Sequence, residues 1–234
     1  MYSLLANYKN YNHIVRTKTG IKYIVLHYTA NDGDTARNNL EYYHREPVQK
    51  SAHFFVDKTE VCCSVPWYNA AYHCGGSKYK YSAGGSLYGK CMNNNSIGIE
   101  MCSKKDAKGN YYIPEETQRR AAEFTARLMK EYNVPIERVV RHYDVTGKNC
   151  PWPMVDKVKW DEFKKMVLDY YNGKEVKTVK YYEKIEEIPA GELRDTVKTY
   201  VDMGIIKGNA AGLHLSEDMV RVLVFVNRYF QKKK

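Results

Sequence analysis

The residues best suited to chemistry lie in Arg141-His142-Tyr143-Asp144-Val145-Thr146-Gly147-Lys148-Asn149-Cys150-Pro151. An imidazole leaves the end of a short predicted strand, a glycine-containing loop turns back, and a thiol follows. Both groups are good zinc ligands, and a short loop can aim two of them at one ion. Two donors do not make a site, so a third must come from elsewhere. His27 is the best placed, ending the apolar run Ile21-Lys22-Tyr23-Ile24-Val25-Leu26-His27, because α/β sheets build their sites at the C-terminal ends of strands. Two histidines and one cysteine leave the fourth position to water, an open catalytic arrangement rather than a closed structural one. Taken alone, the His142–Cys150 pair reads equally well as a packed imidazole and a buried thiol.

A hydrolytic centre of this kind also needs a proton acceptor and a stabiliser for the developing oxyanion. Glu100 shares a strand face with Gly98, whose missing side chain leaves room for a ligand. It stands in an otherwise apolar strand, where burial raises a carboxyl toward general-base range. Lys148, two residues before Cys150, brings an ammonium near the open position. The plain alternatives, a solvated strand-edge carboxylate and a solvated loop lysine, stay open. His-Glu-x-x-His is absent, and so is His-x-Glu with Pro-Cys-x-x-Cys, so neither a zincin nor a zinc deaminase is indicated. Cys74 beside His73 is a poor nucleophilic dyad, since sequence neighbours seldom form one. His13, His44 and His214 have no partners in sequence and read as surface or satisfied residues.

The elements that must position these groups follow from periodicity. The run 21–27 is apolar on both faces, which predicts a central strand. A helix is predicted over 35–46, strands over 51–57 and 60–66, and an irregular Gly-, Tyr- and Asn-rich stretch over 67–95. A loop that long is usually a functional surface or a lid. Residues 96–101 alternate, with Ile97, Ile99 and Met101 on one face and Ser96, Gly98 and Glu100 on the other. Pro114-Glu115-Glu116 opens a helix running to about residue 132. Residues 138–141 form a short strand, and a last helix over 158–171 stacks Trp160, Phe163, Val167 and Tyr170. Alternating strands and helices make residues 1–172 one α/β domain. Residues 173–180 read as a polar, lysine-rich linker. Residues 181–234 read as a small, mostly helical C-terminal domain: one helix carries Leu193, Val197, Tyr200 and Val201, and a second is capped by Ser216. A unit this small folds alone only marginally, so docking or self-association is expected of it.

Five ordered motifs carry a resemblance. They are Ile24-Val25-Leu26-His27-Tyr28-Thr29-Ala30, Ser51-Ala52-His53-Phe54-Phe55-Val56-Asp57, Ala71-Tyr72-His73-Cys74-Gly75, Asn95-Ser96-Ile97-Gly98-Ile99-Glu100, and His142 to Cys150. Over about residues 15–172 the chain resembles the type 2 N-acetylmuramoyl-L-alanine amidases, which include phage endolysins and peptidoglycan recognition proteins. The resemblance implies a mixed β-sheet flanked by helices. It implies one Zn²⁺ held by His27, His142 and Cys150, with Glu100 and Lys148 as the catalytic pair. His53 falls where many relatives carry a tyrosine that assists the water, so the base is His53 or Glu100. Tyr28 stands where some members have a second histidine, and His73 looks like the family's histidine lining the substrate groove; with His53 they form the expected substrate contacts. The implied reaction cleaves the amide between the lactyl group of N-acetylmuramic acid and L-alanine in peptidoglycan. The C-terminal segment is similar to the wall-binding units of endolysins from phages of Gram-positive hosts, which implies an anionic cell-wall polymer as partner. A homodimer through this unit is the alternative use, and a recognition protein that binds peptidoglycan without cutting, or a bacterial autolysin, are the alternative functions.

Composition fits this reading. The chain has 234 residues with 37 Lys+Arg against 27 Asp+Glu, a formal charge of +10. That charge is spread rather than clustered, apart from Lys232-Lys233-Lys234, which argues for a basic surface and against specific nucleic-acid binding. No apolar run approaches the roughly 18 residues of a membrane-spanning helix. The N-terminal residues carry no secretory pattern, so synthesis in the cytoplasm and holin-type release to the wall are expected. The six cysteines form no Cys-x-x-Cys pair, and most are expected to be free, buried thiols.

Overall fold

The computed structural model describes residues 12–16, 20–45, 47–174, 181–208, 212–213 and 215–231. The N-terminal segment 1–11, most of the predicted linker (175–180), residues 209–211, His214 and Lys232-Lys233-Lys234 lie outside the described residues. The chain divides into two compact units, Met1–Val176 and Lys177–Lys234.

In the first unit the elements run in the order β1 (His13–Val15), β2 (Tyr23–Tyr28), α1 (Ala36–Arg45), β3 (Phe54–Val56), β4 (Val61–Cys63), β5 (Asn69–Ala71) and β6 (Ser96–Met101). There follow β7 (Lys104–Lys105), β8 (Tyr111–Tyr112), α2 (Glu115–Tyr132), β9 (Val139–Arg141), α3 (His142–Thr146) and α4 (Lys157–Tyr171). The main sheet has the order β4-β3-β6-β2-β9. Strands β3, β6, β2 and β9 are parallel, and β4 pairs antiparallel at one edge. This is the expected mixed sheet. Parallel strands covered on both faces read as continuous apolar runs, and β2, with Ile24, Val25, Leu26 and His27 all buried, is such a strand.

The alternation of β6 sorts its two faces. Ile97, Ile99 and Met101 join Ile24, Leu26, Phe54, Phe124, Leu128, Trp160 and Phe163 in the main core, which packs α2 and α4 onto one side of the sheet. Ser96, Gly98 and Glu100 face the other side, as His27 does from β2. The helix ends have local causes. Glu115 and Glu116 occupy the first turn of α2, and Asn133 ends it in the left-handed conformation with φ 52°, a common terminator. The Asp156 side chain caps α4 by accepting from Lys159 N–H.

Three differences from the sequence reading have physical reasons. The strand expected over 51–57 is regular only over Phe54–Val56, although His53 N–H still reaches Gly98 O at 3.0 Å. The chain after Arg141 forms α3, too short to register as a periodic pattern. The stretch 67–95 supplies β5, which pairs with β1, and is otherwise irregular yet pinned to α3. Tyr79 N–H donates to Thr146 O at 2.8 Å, and Gly85 N–H to Tyr143 O at 2.9 Å. A Cβ on Gly84 would sit 2.3 Å from Tyr143 O, so only glycine allows that approach.

The second unit contains the two-residue strands β10 (Tyr181–Tyr182) and β11 (Leu215–Ser216) and the helices α5 (Glu192–Asp202) and α6 (Glu217–Gln231). Tyr182, Ile188, Val197 and Val220 form its core. Ser216 Oγ accepts from Met219 N–H at 3.1 Å, which is the N-cap the sequence indicates. Among the described residues no helix is long and apolar enough to cross a membrane.

Candidate metal centre and active-site cavity

Three parallel neighbours, β6, β2 and β9, end side by side, and their C-terminal ends carry three of the residues the sequence singles out. Glu100 and His27 are register partners across β6 and β2. His142 follows β9 directly as the first residue of α3. Gly147 then turns the chain in the left-handed region, φ 84°, and Cys150 returns to the cluster. Tyr143 N–H donates to Cys150 O at 2.8 Å, which fastens the 147–150 loop to α3.

His27, His142 and Cys150 are all buried, and one ligand atom from each lies within 4.8 Å of the others. Cys150 Sγ is 3.6 Å from His27 Nδ1, and the two imidazole centroids are 4.8 Å apart. These three could hold a metal ion. Burial, then the neighbouring His142, His73, Lys148 and His53, hold the His27 pKa well below its ordinary value. Burial, with Lys148 and His73, takes His142 down to about 3. Both imidazoles are therefore neutral at physiological pH, the form that donates a lone pair to a cation. Burial and the nearby Glu100 push the Cys150 thiol up to about 12, against the opposing pull of a Tyr28 backbone hydrogen bond and Lys148. A cation is what would bring out the thiolate here.

Glu100 is half-buried as a residue, but its Oε2 is fully enclosed and has no hydrogen-bond partner among the described residues. Burial raises its pKa to about 8, with Lys148 opposing and Asp34 adding to the rise. Lys148 is exposed at the rim. A cavity of about 610 Å³ is lined by His27, Tyr28, His73, Glu100, His142, Lys148 and Cys150, which brings seven of the eight expected site residues to one wall. His53 is the exception. It has no exposed surface and does not line the cavity. Its Nδ1 accepts from Gly98 N–H at 2.9 Å, and its Nε2 lies 2.9 Å from Arg16 Nη2. His53 therefore braces β6 from within and stands behind the cavity lining rather than in it. The space beside Gly98 is corrected: a Cβ there would lie 2.5 Å from His73 Cγ, so it houses an imidazole of the protein and no ligand. His13 and His44 do not line the cavity.

Two positioning residues escaped the sequence reading. Arg141 forks onto Asp144, with Nη2 2.7 Å from Oδ1 and Nε 3.1 Å from Oδ2. It also donates through Nη1 to Met154 O and Val155 O, tying the start of α3 to the chain beyond Cys150. Asn93 Oδ1 accepts from both His73 N–H and Cys74 N–H, clasping the 73–74 segment. The signal for Arg141 was an Arg–Asp pair three residues apart, and only the fold shows its carbonyl partners. All six cysteines are free and buried.

Residues 17–153 match the Amidase_2 family, described as N-acetylmuramoyl-L-alanine amidase. N-acetylmuramoyl-L-alanine amidase BlyA of Bacillus subtilis (strain 168) is 40% identical over 164 residues, covering 67% of this chain and 44% of that protein. CwlL of Bacillus licheniformis is 35% identical over 185 residues, covering 75% of this chain and 49% of that protein. The chain thus spans about half the length of the curated relatives it matches. Among solved structures, PlyL superposes with a TM-score of 0.56 at 28% identity, covering 71% of this chain and 94% of that one. A mutant endolysin from Bacillus subtilis superposes with a TM-score of 0.54 at 29% identity, covering 71% and 99%. With its residues 17–153 matched and two histidines, a cysteine and a glutamate lining one cavity, the chain belongs to the N-acetylmuramoyl-L-alanine amidase family.

Proposed function

We propose that this chain is a zinc-dependent N-acetylmuramoyl-L-alanine amidase of the endolysin kind. Its substrate is peptidoglycan, and the bond cleaved is the amide between the lactyl group of N-acetylmuramic acid and L-alanine. The observation that carries this reading is the buried His27–His142–Cys150 cluster with Glu100, whose enclosed Oε2 has no hydrogen-bond partner among the described residues, lining the same cavity. Two imidazoles and one thiol suit zinc, and three protein donors leave a position open for catalysis. Bound there, zinc would supply a Lewis acid that polarises the scissile carbonyl and makes water a better nucleophile.

The chain's own groups do the rest. Glu100 takes the proton of the attacking water on its carboxylate and returns it to the departing amine. Lys148, exposed on the cavity lining, places its ammonium against the oxyanion of the tetrahedral intermediate. Tyr28 and His73 shape the wall around the scissile bond. A protein that only recognises peptidoglycan needs neither a complete donor set nor a buried carboxyl beside it. Mass spectrometry of digested peptidoglycan tests the reading: stem peptides with new L-alanine amino termini, released from glycan chains that are otherwise intact and carry free lactyl carboxyls, are expected, and EDTA should stop their release. Cleaved glycosidic bonds, or full activity in EDTA, would overturn it.

We also read the second unit as the module that holds the enzyme on the wall through an anionic polymer, reached once the membrane is breached. Its support is the likeness to endolysin C-terminal units, and the formal charge of +10 over the whole chain suits an anionic wall. The full chain should sediment with purified walls, and stripping their teichoic acids should reduce binding by about tenfold or more, with steep salt dependence. Equal binding to stripped walls would remove the anionic partner.

A further inference from the structure

Behind the donor cluster a line of hydrogen bonds runs away from the cavity. His27 Nε2 lies 3.1 Å from His73 Nδ1, His73 Nε2 lies 3.0 Å from Ser96 Oγ, and Ser96 Oγ donates to Met92 O at 2.6 Å. A carbonyl oxygen only accepts, so the single hydroxyl proton of Ser96 is committed to Met92. Ser96 Oγ must then accept from His73, which puts that ring's proton on Nε2 and leaves Nδ1 as an acceptor. His27 in turn carries its proton on Nε2 and presents Nδ1 bare. Nδ1 is the atom that faces Cys150 Sγ.

From this directed relay we infer that His73, backed by Ser96, is a positioning residue that fixes the tautomer and ring angle of His27 for metal binding. The inference rests on the reading of His27 as a ligand and goes beyond it. The ring of His73 has little freedom. It is buried at 8% exposure, Asn93 clasps its backbone, and it fills the space above Gly98 so tightly that a Cβ would meet its Nδ1 at 2.6 Å. The Cys74 thiol, 3.9 Å from His73 Nε2 and 3.6 Å from Ser96 Oγ, is too weak a partner to redirect the relay. Histidine ligands commonly give their second N–H to a carboxylate, a carbonyl or water; here another imidazole takes that place.

Zinc affinity of the full chain, measured by competition with a chromophoric chelator, tests this without reference to turnover. His73→Leu should bind zinc about 10- to 100-fold more weakly, and His73→Asn, whose side-chain oxygen can accept where Nδ1 does, should stay within about threefold of wild type. Gly98→Ala, which displaces the ring without removing a polar group, should weaken affinity in the same direction. Nitrogen-15 spectra of the histidines in the zinc-free wild-type chain give a second readout: the proton of His27 should reside on Nε2, and His73→Leu should redistribute it. Zinc binding by His73→Leu as tight as wild type, or a His27 proton on Nδ1 in the zinc-free wild type, would overturn the relay. A wild-type chain that binds no zinc would defeat the metal reading instead, and the spectra would still decide the relay.

Discussion

Cys150→Ser should lose its metal and its turnover together. The thiolate is the one soft donor in the cluster, and its sulfur lies 3.6 Å from His27 Nδ1 in a buried pocket. A serine hydroxyl keeps the shape but does not ionise at neutral pH, so the cluster falls to two neutral imidazoles. Replacing even the supporting partner of a ligand costs about 10- to 100-fold in metal affinity, and removing a ligand itself should cost more than about 100-fold. Release of L-alanine amino termini should fall in proportion at limiting zinc, while the unfolding profile of the zinc-free chain should barely change. A serine variant that turns over at the wild-type rate would contradict the assignment.

Glu100→Gln should behave differently, and the difference separates a base from a ligand. Turnover should drop by about 10²- to 10⁴-fold, the usual contribution of general acid–base catalysis, with zinc affinity close to wild type. The same substitution should stabilise the zinc-free chain. Burial holds the Glu100 pKa at about 8, above its unfolded value, so folding favours the protonated form. Stability from this group is fully present below the unfolded carboxyl pKa and is lost as pH rises through about 8. Glutamine carries no such titration, so the variant should gain on wild type between about pH 5 and pH 8, on the order of 1–3 kcal/mol. Urea unfolding of the chelator-treated proteins across that range measures it. A variant that loses stability relative to wild type as pH rises would show that Glu100 is not held in a desolvated position. The gain in stability and the loss of activity have one cause, a carboxyl kept out of water where the reaction needs its proton affinity.

His27 and Glu100, proposed here as ligand and base, were legible because strand periodicity places them. Strand β2 ends at Tyr28, one residue past His27, and the alternation of β6 puts Glu100 opposite the core face. The return from His142 to Cys150 is local, so its donors could be read as a pair. His53 and His73 could not be read this way. The partners of His53 and His73, namely Gly98 N–H, Arg16, Ser96 and His27, stand 45, 37, 23 and 46 residues away. Nothing in a single sequence distinguishes an imidazole that touches substrate from one that braces a strand. The long stretch 67–95 hid its order for the same reason, since its pinning bonds go to α3. Gly98 was the most instructive miss: a glycine in a strand signals a close approach, and the approaching group proved to be His73.

X-ray absorption at the zinc edge of the zinc-loaded full chain tests the central claim most directly. The account predicts one zinc per chain with a single sulfur in its shell, nitrogen or oxygen in the other positions, and loss of that sulfur in Cys150→Ser. A shell without sulfur, or with two or more, would contradict it.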